Sequence, residues 1–207
     1  MTPFTRSLAG STLVVVGLGS VGRSIARKAG AFGMRVVGVS RRGRPIPHCE
    51  RVVPHTQFRE VLPEADALVL ALPLTEETFH LLGRDELARM KPGAVVVNIA
   101  RGGLIDEPAL IAALQQGRLA GAGLDVVENE PLAPDSPLWA MQNVLLTPHI
   151  GGRGGVEQDQ RLAAFLADNL RRFLAGGELR NQVDPRTGLA LDAHADHPAA
   201  APPGAGR

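Results

Sequence analysis

From Thr12 onward, short apolar runs alternate with stretches of helical periodicity, and this alternation confines the chain to one class of fold. The runs at 12–16, 35–39, 67–72, 94–98, 122–126 and 144–146 are rich in Val, Leu, Ile and Ala with little alternation, as strands buried on both faces must be. Helices are expected at 20–32, 76–82, 85–90, 107–116 and 156–174. Strands and helices in this order predict an α/β fold: a Rossmann-type, doubly wound parallel sheet in a single lobe. Punctuation agrees: Asp106 can cap a helix with Pro108 in its first turn, Gly117 can end it, and Lys91-Pro92-Gly93 is a turn. In the last helix Leu162, Phe165, Leu166, Leu170, Phe173 and Leu174 share one face, which is expected to be covered by this lobe, a second subunit or a missing lobe.

Residues 1–11 read as a leader, 12–184 as the lobe, and 185–207, dominated by Ala, Pro, Gly and His, as a disordered tail. The 22 basic and 21 acidic residues leave a net charge of +1, which offers nothing to nucleic acid or an anionic membrane. No uncharged apolar run reaches bilayer length, and the first residues lack a signal-peptide core. The single cysteine, Cys49, excludes an intrachain disulfide framework, so a cytoplasmic setting is expected. His48 and His55 flank a Pro-rich loop with Cys49, His80 falls on the surface of the expected 76–82 helix, and His194 and His197 lie in the tail. None has the spacing of an established metal site, so no metal is expected.

Val14-Val15-Val16 runs into Gly17-Leu18-Gly19-Ser20-Val21-Gly22, and a helical pattern follows at once. Alone, that glycine spacing is weak; between a strand and a helix it marks a dinucleotide site. Gly17 permits the tight turn, Gly19 lets a pyrophosphate approach, and Gly22 lets helix and strand pack closely. The N–H groups at Ser20 and Val21 then face the phosphates, with the positive end of the helix dipole behind them.

The second strand ends in Ser40-Arg41-Arg42, where an NAD-preferring site usually carries an acid. A hydroxyl and two guanidinium groups suit a 2′-phosphate, so NADP(H) is favoured and NAD(H) remains possible.

Three further segments carry chemistry: Val97-Asn98-Ile99-Ala100-Arg101-Gly102-Gly103-Leu104-Ile105-Asp106-Glu107, Gly123-Leu124-Asp125-Val126-Val127-Glu128-Asn129-Glu130-Pro131 and Asn143-Val144-Leu145-Leu146-Thr147-Pro148-His149-Ile150-Gly151-Gly152. Singly, Arg101, Glu130 and His149 read as ordinary loop charges. In this order and spacing the segments resemble the D-isomer-specific 2-hydroxyacid dehydrogenases, over roughly residues 8–184. The resemblance implies that Arg101 binds the substrate carboxylate, Glu130 is the acid paired with a histidine, and His149 is the proton donor. It implies that Asp125 orients the nicotinamide carboxamide and that Pro73 lies beside the adenosine half. Leu72, Thr78, Ile99, Ala100 and Gly151 then line the cofactor path, together with Arg101 and His149.

These types suit the reduction of a 2-keto acid. Arg101 would place positive charge where negative charge develops. His149 would act as general acid, and a carboxylate beside it favours the imidazolium. Asn129-Glu130-Pro131-Leu132 resembles the glyoxylate/hydroxypyruvate reductase branch. Family members usually begin with a substrate lobe, most of which has no counterpart here. The resemblance therefore leaves two functions open: an oxidoreductase acting on a small 2-keto or 2-hydroxy acid, expected to be a homodimer, or a non-catalytic dinucleotide-binding module.

Overall fold

The computed structural model describes residues 7–152, 154–184 and 191, and the chain divides into two compact units, Met1–Gly154 and Gly155–Arg207. The first unit holds β1 (Thr12–Val16), β2 (Arg35–Ser40), β3 (Arg51–Pro54), β4 (Ala67–Leu70), β5 (Ala94–Asn98), β6 (Leu119–Leu124) and β7 (Val144–Leu146). They form one seven-stranded sheet in the order β3-β2-β1-β4-β5-β6-β7, with every pair parallel. The expected fold class is therefore observed. The chain winds outward from β1 to β3, then returns to β4 on the other side of β1. The carboxyl ends of β1 and β4 thus flank a topological switch point, where ligands of open α/β sheets bind.

Period-two alternation in β1 feeds two cores. Leu13 and Val15 pack with Ala26 and Ala29 of α1 (Ser20–Ala31). Val14 and Val16 join the larger cluster on the other face. That cluster includes Val61 of α2 (Phe58–Val61), Leu87 of α3 (Arg84–Arg89) and Leu110 of α4 (Glu107–Gln115). Asp106 accepts from Ala109 N at the start of α4, and Gly117 takes φ +68° just past its end, as the sequence predicts.

Three expectations are corrected. The segment between His48 and His55 contains β3, a short strand at the sheet edge. Its Arg-Val-Val-Pro sequence has only two strand-forming residues, and its proline is tolerated because an edge strand needs few of its donors. The expected 76–82 helix is a series of turns. Thr78 Oγ1 donates to Pro73 O at 2.9 Å and accepts from Thr75 N at 2.7 Å, while His80 N and Leu82 N donate to Gly103 O and Leu104 O. Tertiary acceptors thereby replace the helical ladder, and His80 sits at φ +50° in a turn. Finally, β6 begins at Leu119 and ends at Leu124, so Asp125 and Val126 lie beyond its carboxyl end.

The second unit is α5 (Val156–Leu174) with a return segment, in which Asn169 and Arg180 exchange two hydrogen bonds at 3.0 and 2.9 Å. Leu162, Leu166, Leu170, Phe173 and Leu174 are exposed in the single chain. The tail expected at 185–207 lies outside the described residues except for Leu191, as does most of the leader. No described helix is long and apolar enough to cross a membrane.

Candidate active site at the carboxyl edge of the sheet

All seven strands run in parallel, so the segments that follow them emerge along one edge. After β1, Gly17 takes φ +95°, and a Cβ there would lie 2.4 Å from Ala71 O and 2.8 Å from Leu72 Cβ. A Cβ on Gly22 would lie 1.9 Å from Gly17 O. Only hydrogen fits at either position. Gly19, by contrast, has nothing within 4 Å of its ideal Cβ, and it caps α1 with no side-chain oxygen. The first turn of α1, with Ser20 and Val21 exposed, contains no acid. An open cradle at an uncapped helix start fits a pyrophosphate.

Beside the cradle, Gly17 N donates to Val39 O at 2.9 Å, which brings the end of β2 close. Ser40 Oγ accepts from Gly43 N at 3.1 Å, and Arg41 and Arg42 are exposed on the turn between them. On the other side of β1, Leu72 abuts Gly17, and Thr78 ties the following turn to Pro73.

After β5, the buried Asn98 side chain (1% exposed) holds the next turn. Its Nδ2 donates to Arg101 O at 2.8 Å and its Oδ1 accepts from Ala100 N at 3.1 Å. This clamp leaves Ile99 and Arg101 exposed at the edge, with Arg101 Nη1 donating to Ala100 O at 2.6 Å. A Cβ on Gly102 would lie 1.8 Å from Val127 O, so the Arg101 turn packs backbone against backbone on the segment leading to Glu130.

Asp125 follows β6 and is 7% exposed. Its Oδ1 accepts from Thr147 Oγ1 at 2.6 Å and Ile150 N at 2.9 Å, and its Oδ2 accepts from Gly151 N at 2.7 Å. Burial pushes this carboxyl upward, but those three donors and the nearby His149 outweigh it and hold the group below the ordinary carboxylate range. Among the described residues, one acceptor position remains on Oδ2 for a further donor. His149 N also donates to Asp125 O at 2.8 Å, so both the backbone and the side chain of Asp125 set the histidine loop.

His149 takes φ +52°, an uncommon conformation for a side-chain-bearing residue, and its Nδ1 lies 2.8 Å from Glu130 Oε2. An ionised carboxylate only accepts, so Nδ1 carries the hydrogen and Nε2 is left to exchange protons. The edge thus brings together Asp125, Glu130, His149 and Gly151 by direct bonds, with the Arg101 turn packed alongside.

Sequence reasoning missed a second pair. His80 Nε2 lies 2.9 Å from Glu128 Oε1, and Glu128 N donates to Glu107 Oε2 at 3.1 Å. These links tie the Thr78 turn and the start of α4 to the loop carrying Glu130. Glu107 and Glu128 lie within the segments that carry the resemblance, whereas His80 lies outside them and its pairing is purely tertiary.

A doubly wound sheet with a glycine cradle at its switch point defines a dinucleotide-binding lobe. The chain belongs to the D-isomer specific 2-hydroxyacid dehydrogenase family, whose NAD binding domain matches residues 2–151. It is 42% identical over 167 residues to a glyoxylate reductase of Korarchaeum cryptofilum, covering 81% of this chain and 50% of that one. It is also 42% identical over 176 residues to glyoxylate/hydroxypyruvate reductase B of Yersinia pestis, covering 84% and 54%. The chain therefore spans about half the length of these relatives. Among solved structures it resembles a D-isomer specific 2-hydroxyacid dehydrogenase from Xanthobacter autotrophicus in complex with NADPH, with TM-score 0.82, 38% identity, and coverage of 90% of this chain and 76% of that one. An NADPH-dependent glyoxylate/hydroxypyruvate reductase from Sinorhizobium meliloti, solved with NADP and sulfate, gives TM-score 0.82 and 32% identity, with coverage of 91% and 60%.

Proposed function

We propose that this lobe binds NADP(H) in preference to NAD(H) and serves the reversible reduction of a small 2-keto acid, of the glyoxylate or hydroxypyruvate kind, to its D-2-hydroxy acid. The observation that carries this reading is the 2.8 Å pair of His149 and Glu130 on the same sheet edge as the glycine cradle. Gly17, Gly19, Ser20, Val21 and Gly22 hold the pyrophosphate, Ser40, Arg41 and Arg42 the 2′-phosphate, and Leu72, Pro73 and Thr78 the adenosine side. Ile99, Ala100, Asp125 and Gly151 flank the nicotinamide, with one acceptor of Asp125 free for its carboxamide. Reduced nicotinamide, when bound, supplies the hydride. Arg101 binds the carboxylate and polarises the carbonyl. His149 delivers a proton from Nε2 to the carbonyl oxygen, and Glu130 keeps the ring oriented and stabilises its cationic form.

The names and cofactors of the two solved structures support the NADP(H) preference, as does the absence of an acid in Ser40-Arg41-Arg42. We place the lobe at 12–184 and read the protein as a cytoplasmic homodimer. The test is NADPH oxidation, followed by absorbance with glyoxylate, hydroxypyruvate and pyruvate. Turnover that vanishes in His149→Ala supports the assignment; turnover that survives the substitution contradicts it.

A further inference from the structure

We propose that His55 determines cofactor specificity by giving the 2′-phosphate a basic contact beside Arg41 and Arg42; the inference rests on the NADP(H) reading above. Ser40 stands in register with Pro54, so the residues that follow, Arg41 and His55, leave adjacent strands side by side at the carboxyl edge. The turn after β2 folds onto the end of β3. Gly43 takes φ +64°, and a Cβ on it would lie 2.7 Å from Pro54 N. His55 Nδ1 then lies 3.2 Å from Arg41 O.

That contact fixes the chemistry of the ring. A carbonyl oxygen only accepts, so Nδ1 carries a hydrogen and Nε2 is the nitrogen left for a ligand. Protonated, Nε2 becomes a charged donor on an exposed side chain, and such bonds to phosphate are among the strong ones.

The surrounding charges favour an anion here. Arg41, Arg42, Arg44 and His48 occupy the turn and loop after β2 with no acid among them. The acids before β3 and β4 lie at the amino ends of those strands and are paired there, Glu50 with Arg35 at 3.0 and 2.9 Å, Glu64 with Arg51 and Asp66 with Lys91 at 2.9 Å, while Glu86 of α3 pairs with Arg59 at 2.7 Å. On α2, Arg59 is thus paired, and Glu60 is the remaining exposed acid.

The test is fluorescence titration of the whole chain with NADPH and with NADH. Wild type is compared with His55→Asn, whose amide can still donate to Arg41 O, and with His55→Leu. At about pH 6 the NADH-to-NADPH ratio of Kd values is expected to fall by ~3–10-fold in both variants, the loss of a charge-assisted contact to the phosphate. Between about pH 8 and about pH 6 that ratio should gain in wild type relative to His55→Asn, since the phosphate's own titration near ~6 is common to both and cancels in the comparison. NADH binding by each variant reports a folded lobe. A ratio unchanged in His55→Asn, with or without a fall in His55→Leu, overturns the proposal, because His55 would then act at most as a strap on the Arg41 carbonyl. If wild type shows no preference for NADPH, the 2′-phosphate reading fails, and this inference with it.

Discussion

Nδ1 of His149 and Oε2 of Glu130 stand 2.8 Å apart, although the two residues leave different strands. Glu130→Gln keeps a hydrogen-bond acceptor and removes the charge that favours an imidazolium. Keto-acid reduction is expected to fall by roughly 10²-fold, within the range for general acid–base help. Steady-state kcat for both proteins, with NADPH affinity measured alongside, checks this.

The Asp125 carboxyl lies below its ordinary range in the fold, through burial opposed and outweighed by bonds from Thr147, Ile150 and Gly151 and the charge of His149. A folded pKa depressed below the unfolded value contributes stability above the unfolded pKa, near ~3.9, that is lost as pH falls through the folded pKa. The Ile150 and Gly151 amides should therefore stay protected from hydrogen exchange at neutral pH and lose protection on strong acidification. Asp125→Asn should remove that acid step and lower stability by about 1–3 kcal/mol, because donors are left without their acceptor.

The cradle glycines separate folding from binding. Gly22→Ala would place a Cβ 1.9 Å from Gly17 O, so a lower Tm is expected. Gly19→Ala meets nothing within 4 Å, so the fold should be kept while dinucleotide affinity falls by about tenfold or more, as the methyl occupies the pyrophosphate path. Thermal unfolding and cofactor titration on both variants distinguish the two effects.

Asn98→Ala removes the clamp on the Arg101 turn. With Asn98 1% exposed and bonded to Ala100 N and Arg101 O, a loss of about 1–3 kcal/mol is expected. The KM for the keto acid should rise more than the Kd for NADPH, which a paired kinetic and binding experiment reads out.

Much of this architecture was legible in the chain because it rests on local pattern. Strands such as Thr12–Val16 and Ala94–Asn98 are apolar runs, and the α4 cap at Asp106 and its stop at Gly117 are local signals. The Arg51–Pro54 strand was not legible, because a four-residue edge strand is defined by its register with Val37–Ser40 rather than by its own composition. The turns at 76–82 misled for a similar reason: Gly103 O and Leu104 O, distant in sequence, capture the amides that a helix would use. At the candidate site, the glycine spacing and the segments around Arg101, Glu130 and His149 fall along one carboxyl edge of the sheet. The support beneath them, Asn98 under Arg101 and Asp125 under His149, depends on contacts across strands that no single segment encodes.

Hydride delivery at this edge is tested most directly by isotope transfer. The chain is incubated with hydroxypyruvate and NADPH deuterated at the transferable nicotinamide position, and the product is analysed for label and chirality. D-glycerate carrying one deuterium at C2, abolished by His149→Ala, is the predicted result. L-glycerate, product without deuterium, or label transfer unaffected by His149→Ala would contradict the account.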